Sequence, residues 1–249
     1  MINLIDYKKN WNPLSYKGNK KTIIFLHHTA GYDIYSAHDW LYKLSLKHYR
    51  EGNYLTGVNY FIGKDGTILQ AIEEDRWAWH SGTGDKKFEA KTISIELDNL
   101  GFMWFLDKNT LVDLYNNKWE IVSRKDNEIK AKLGRLTFDF VYLEKPWRGF
   151  QVYHKYSKKQ IDSLVNLLDD IIKRNGISRQ IHKNFLPEKK TLNTSDLYDF
   201  SGIVNHVQFM GNISRSDHYI DKIKSYKKWD LSIVFPVEEL ISRLNLEVI

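Results

Sequence analysis

The chain has 249 residues, 42% hydrophobic and 27% charged, with only four prolines; that is enough to bury a substantial core and too few breakers for long disordered linkers. It contains no cysteine, which excludes a disulfide framework and a thiolate-held metal, so any metal must be held by His and carboxylates. The net charge of +6 suits an acidic partner, but the lysines are scattered rather than run together, and nucleic acid is not expected.

In chain order, Lys21-Thr-Ile-Ile-Phe-Leu reads as a buried strand, β-branched and free of proline. It runs into His27-His28, and imidazoles at a strand end are poor core material because a dry core seldom offers them partners. A metal site is one reading of the pair; a hydrogen-bonded structural His beside an exposed one is the other. Tyr35 to Tyr49 has the spacing of an amphipathic helix through Ala37, Leu41, Tyr42 and Leu44. Val58–Ile62 and Thr67–Ile72 read as strands joined by a hairpin turn over Gly63-Lys64-Asp65-Gly66. Thr92–Leu97 alternates with period two and carries one carboxylate, Glu96.

From Gly101 to about Tyr153 the pattern turns short and aromatic-rich, with Trp104, Trp119, Phe138, Phe140, Tyr142 and Trp147; β-hairpins added to the main sheet are expected there. Ser157-Lys-Lys-Gln160 resembles a capping box opening a helix that Gly176 stops. Arg179 to Ser201 is polar and irregular, Gly202 to His206 is a short strand ending again in His, and Phe235-Pro236 opens a last helix to Leu244. The expected fold class is α/β: a mixed central β-sheet flanked by helices, one domain over 1–249 with an aromatic-rich β insertion at about 102–156. No apolar stretch reaches the roughly 18–20 residues of a spanning helix, and no signal peptide is visible at the N-terminus.

Two strands thus end in His27 and His206, an interior strand carries Glu96, and Lys228-Trp229-Asp230 precedes the last helix. Two imidazoles and a carboxylate form a common first shell for zinc with a position open to water. By residue type, Glu96 suits proton transfer and Lys228 oxyanion stabilisation.

These residues resemble the zinc-dependent N-acetylmuramoyl-L-alanine amidases of type 2, which share their fold with the peptidoglycan recognition proteins. The resemblance runs in order through Ile-Ile-Phe-Leu-His27-His28-Thr-Ala, Val-Asn59-Tyr60-Phe-Ile-Gly-Lys-Asp65-Gly66, Trp77-Ala-Trp79-His80-Ser-Gly82, Ile-Ser-Ile-Glu96-Leu-Asp-Asn99 and Gly202-Ile-Val-Asn-His206. It implies that His27 and His206 are zinc ligands and Glu96 the catalytic glutamate, with Lys228 beside the oxyanion. It places His80 at the rim of the substrate groove, the alternative being a capped loop His, with Asn59 and Trp79 also on the substrate. For the third ligand two residues compete: Asp217, nearer His206, and Asp230, which has Lys228 two residues before it and Phe235-Pro236 and the last helix after it. The downstream context favours Asp230; His218 is a further candidate. The chain departs from the pattern at Leu231-Ser232, where the family has Pro-Gly, and at Val58, where some members carry a catalytic tyrosine.

The resemblance implies hydrolysis of the amide between the lactyl group of N-acetylmuramic acid and L-alanine of the stem peptide. The partner would be peptidoglycan or a muropeptide and the protein a monomer, acting on the cell wall as a phage-type lysin or secreted effector. The alternative is a peptidoglycan-binding module without turnover.

Overall fold

The computed structural model describes residues 4–187, 192–209 and 230–249. In chain order the first strands are β1 (Leu4–Asp6), β2 (Tyr16–Lys17), β3 (Ile23–His28), β4 (Tyr60–Ile62), β5 (Ile68–Gln70), β6 (Arg76–Trp77) and β7 (Thr92–Leu97). The insertion supplies β8 (Phe102–Asp107), β9 (Thr110–Val112), β10 (Lys118–Lys125), β11 (Glu128–Leu133), β12 (Leu136–Trp147) and β13 (Phe150–His154); β14 (Gln180–Ile181), β15 (Gly202–Asn205) and β16 (Glu247–Val248) follow. The helices are α1 (Lys8–Trp11), α2 (Ile34–Arg50), α3 (Lys86–Ala90), α4 (Lys158–Asn175) and α5 (Val237–Leu244).

Among the described residues, eight strands form the central sheet in the order β1-β5-β4-β7-β3-β15-β14-β16, parallel except for the β4–β5 hairpin. Its centre, β3 between β7 and β15, is apolar on both faces, as a doubly covered parallel sheet requires. Strand parity assigns the faces. Ile24, Leu26, Ile93, Ile95 and Leu97 pack with the apolar stripe of α4 and with α5. On the opposite face Ile23 and Phe25 join Phe88, Val204 and Phe209. His27 and Glu96 share that second parity, away from α4.

Helix α4 begins as expected: Ser157 Oγ accepts the N–H of Gln160 at 3.1 Å, and Gly176 closes the helix at φ +63°, where a Cβ would be strained. The reciprocal arm of the expected capping box is not made. Gln160 is fully buried and its amide donates instead to the carbonyls of Ile62 and Asp98, tying α4 to the ends of β4 and β7.

The insertion corrects the sequence expectation. Its strands do not extend the main sheet but close on themselves as a barrel, β10-β11-β12-β13-β8-β9, around Leu100, Met103, Leu111, Trp119, Ile129, Ala131, Phe140 and Val152. The reason is topological. β7, from which the insertion leaves, is already paired on both sides, by β3 and β4, so emerging hairpins find no open edge and satisfy their backbones by closure.

Among the described residues, at least two places fasten the barrel to the sheet. Phe102, Trp147 and Tyr153 pack with Val207, and the Arg148 guanidinium donates to the carbonyls of Pro187 and Val207. At the other, Lys64 lies 3.7 Å from Asp98 and 3.6 Å from the centre of the Phe138 ring. No described helix is long and apolar enough to cross a membrane.

Candidate metal centre and cleft

The parallel register sets His27 beside Glu96 across β3–β7, and Asn205 beside Leu26 across β15–β3. The residue after Asn205 therefore reaches His27 from the other side. Asn205 also turns the chain there: its side-chain oxygen accepts the N–H of Val207 at 2.7 Å and its own N–H donates to Gln208 Oε1 at 2.9 Å. His206 is thus the first residue of a short 3-10 turn rather than the last of a strand.

The Nδ1 atoms of His27 and His206 lie 2.9 Å apart. Asp230 Oδ2 is 2.9 Å from His206 Nδ1, and Oδ1 is 4.0 Å from His27 Nδ1. Oδ1 also accepts the backbone N–H of His28 at 3.2 Å. Burial opposes the charged form of Asp230, but His206 in its protonated form, through charge and hydrogen bond, with His28 and His27 nearby, holds its carboxyl well below the usual carboxylate range. Leu231, next in the chain, is fully buried at φ +49°, so a core anchor holds this turn where a glycine would relieve the backbone.

The outer nitrogens of both rings are engaged. His206 Nε2 is 2.7 Å from the Ser81 carbonyl, which can only accept; a neutral His206 therefore carries its proton on Nε2 and presents a bare lone pair at Nδ1. His27 Nε2 is 2.9 Å from His80 Nδ1. His80 Nε2 is 2.7 Å from Thr92 Oγ1 and 3.0 Å from Glu89 Oε2. Thr92 Oγ1 donates to the Glu89 carbonyl, so it accepts from His80 Nε2. In a neutral His80, Nδ1 is then left to accept from His27 Nε2, and a neutral His27 keeps its lone pair at Nδ1. Two imidazole lone pairs and a carboxylate oxygen facing one another repel unless a cation or proton lies between them. Among the described residues, His27, His206 and Asp230 have their ligand atoms within 4.8 Å of one another, a donor set that fits a divalent transition metal.

Several expected site residues lie elsewhere. His80 is not at a groove rim; its side chain is buried behind His27. Asn59 is also buried, its amide donating to the Glu73 carbonyl at 2.9 Å and its oxygen accepting the Ser94 N–H at 2.9 Å, which ties the β4 approach to β7. Trp79 packs edge-on against Trp77 and Tyr54 and does not line the cleft beside Glu96. Lys228, Asp217 and His218 lie outside the described residues. Glu89 had no signal in the sequence: a carboxylate on a five-residue helix reads as solvent-facing, yet it is fully buried.

Beside Glu96 opens a cleft of about 530 Å³, between the loop after β3, the start of α2 and the β9–β10 turn of the barrel. Tyr115 and Asn117 come from that turn, Tyr32, Asp33 and Trp40 from the α2 side.

A profile described as N-acetylmuramoyl-L-alanine amidase matches residues 17–218. The chain belongs to the N-acetylmuramoyl-L-alanine amidase family. Solved structures similar to this amidase-family chain include N-acetylmuramoyl-L-alanine amidase LysC from Clostridium intestinale, 14% identical over 98% of each chain with a TM-score of 0.46. AmiD from E. coli, in complex with anhydro-N-acetylmuramic acid-L-Ala-D-gamma-Glu-L-Lys, is 16% identical over 93% of this chain and 60% of its own, with a TM-score of 0.47. Drosophila peptidoglycan recognition protein SA is 12% identical over 92% and 93%, with a TM-score of 0.41. These likenesses are distant, and the family assignment rests on the profile. No curated protein sequence matches the chain.

Proposed function

We propose that this chain is a zinc-dependent peptidoglycan hydrolase. It would cleave the amide between the lactyl group of N-acetylmuramic acid and L-alanine of the stem peptide. The observation that carries the reading is the convergence of His27, His206 and Asp230 next to Glu96, in a chain of this family. The ligands would be those three side chains; zinc, when bound, lowers the pKa of a coordinated water and polarises a carbonyl. Glu96, which lines the cleft, accepts a proton from the attacking water and returns it to the amine nitrogen as the C–N bond breaks. Water oxygen ends on the lactyl carbonyl carbon and the proton on L-alanine's nitrogen. Lys228 is assigned to the developing oxyanion from the family resemblance. The substrate is peptidoglycan or a muropeptide, and the setting lysis of a bacterial wall, as a phage-type lysin or secreted effector.

The test is metal content and release of L-alanine amino termini from sacculi, for the wild type, Glu96→Ala and Asp230→Ala. Glu96→Ala is expected to keep zinc and lose cleavage, and Asp230→Ala to lose both. A fully metallated, active Asp230→Ala overturns the ligand set and passes the role to Asp217. A wild type that binds sacculi but releases no amino termini overturns the enzyme reading in favour of a recognition module.

A further inference from the structure

The β9–β10 turn of the barrel is built to hold one exposed residue still. Asp113 is fully buried, and its carboxylate accepts the N–H groups of Tyr115 (2.9 Å) and Asn117 (3.0 Å), the Asn117 amide (2.9 Å) and the Trp119 indole N–H (3.0 Å). Its backbone N–H donates to the Asn117 carbonyl, and Asn116 takes the left-handed conformation at φ +63°, which asparagine tolerates better than most residues. Trp119, which anchors this network, is also in the barrel core. Tyr115 stands at the tip of this fixed turn, 60% exposed, and lines the cleft beside Glu96.

Tyr32, 39% exposed, and Trp40, 66% exposed, line the same cleft from the α2 side. Large exposed rings converging from separate elements on one cleft are not core material; rigid aromatics at low entropic cost are a means of binding. The polar lining says what they would bind. It includes the carboxylates of Asp33 and Glu96 and the amide of Asn117, and among the described residues no lysine or arginine lines it. Asp33 is held in place as the α2 N-cap, accepting from the N–H groups of Tyr35 and Ser36. Such a cleft repels the carboxylates of a stem peptide, and it suits an uncharged ring with an apolar face and hydroxyl and acetamido groups at its edge.

We infer that the inserted barrel completes a glycan subsite: Tyr115 and Asn117, facing Tyr32 and Trp40, bind the neutral N-acetylated sugar that adjoins, along the glycan strand, the N-acetylmuramic acid carrying the scissile linkage. This rests on the proposed amidase function for its biological meaning, but binding of the sugar is separable from turnover.

The probe is the N-acetylglucosamine trimer, which has no amide bond to a peptide, titrated into the full chain and followed by tryptophan fluorescence and calorimetry. The wild type is expected to bind it, Tyr115→Ala and Trp40→Ala to weaken binding about tenfold or more, and Tyr49→Ala, exposed at the far end of α2, to leave it unchanged. Tyr115→Phe separates the ring from its hydroxyl and is expected to retain most of the binding. With cleavable substrates, Tyr115→Ala should raise KM for a disaccharide-peptide much more than for the monosaccharide-peptide, with kcat little changed. No binding by the wild type, equal binding by Tyr115→Ala, or displacement of the trimer by free stem tripeptide overturns the subsite. A protein that binds the trimer through Tyr115 and cleaves nothing overturns the amidase reading and leaves the subsite standing.

Discussion

His27 and His80, 53 residues apart, are joined ring to ring: Nε2 of one stands 2.9 Å from Nδ1 of the other. Beyond His80 stands the fully buried Glu89, whose Oε1 accepts from both the N–H and the hydroxyl of Ser81. Ser81 also offers its carbonyl to His206. One buried carboxylate thus organises the outer nitrogens of both histidines.

Glu89→Gln keeps the shape of that support and removes its charge. It is expected to weaken zinc affinity by roughly 10–100-fold, the usual effect of losing an outer-shell partner, as measured by competition with a chromogenic chelator. His80→Ala should act in the same direction. The cobalt-substituted protein should show a shifted visible spectrum in both variants, because the ring orientation at the metal changes.

Gly101 sits at φ +74°, and a Cβ there would meet His28 Cε1 at 2.7 Å. His28 is the residue whose N–H holds Asp230, so Gly101→Ala should both destabilise the fold, by about 1–3 kcal/mol, and weaken metal binding. Gly134→Ala, at φ +57° with nothing within 4 Å, should incur only the backbone strain and leave metal affinity intact. Urea unfolding and metal titration of the two variants make the comparison.

Lys21 is almost fully buried, and its ammonium donates to the carbonyls of Arg76, Ala90 and Thr92. Burial pushes its pKa down to about 8, against the opposing pull of Asp75, Glu74 and Glu89. Between that value and the ordinary lysine value the unfolded chain binds more protons than the folded one, so this group adds stability as pH rises through about 8 to 10.5, up to ~3 kcal/mol. Lys21→Met should lose that rise and, with the carbonyls of Ala90 and Thr92 losing the ammonium donor, be less stable at pH 7. Unfolding free energies at pH 7 and 9.5 check both.

Gln160→Leu removes the two donors that α4 gives to Ile62 and Asp98. Losing both bonds, with the Ile62 carbonyl still accepting the Asp98 N–H, is expected to cost about 1–3 kcal/mol, read as a lowered denaturation midpoint with an unchanged slope.

Much of the scaffold was legible because it depends on local periodicity. The helix expected over 35–49 is observed at Ile34–Arg50, the last helix at Val237–Leu244 and the carboxylate strand at Thr92–Leu97. In the β insertion the aromatic residues Trp104, Trp119, Phe138, Phe140, Tyr142 and Trp147 do lie on strands. Their closure was not readable, because local alternation is the same whether a hairpin joins a sheet or its own far end.

The sequence by itself determined that histidines stand at or just beyond two strand ends and that a carboxylate lies on an interior strand, since backbone parity and strand length follow from neighbouring residues. Only the tertiary structure decided that β3, β7 and β15 lie side by side in a register that brings His27 to Glu96 and His206. It also turned His80 inward onto Glu89 and aimed Tyr115 into the cleft. Apart from His80–Glu89, these are contacts between residues from about twenty to well over a hundred positions apart, and they are set by sheet order and barrel closure, which no local pattern encodes.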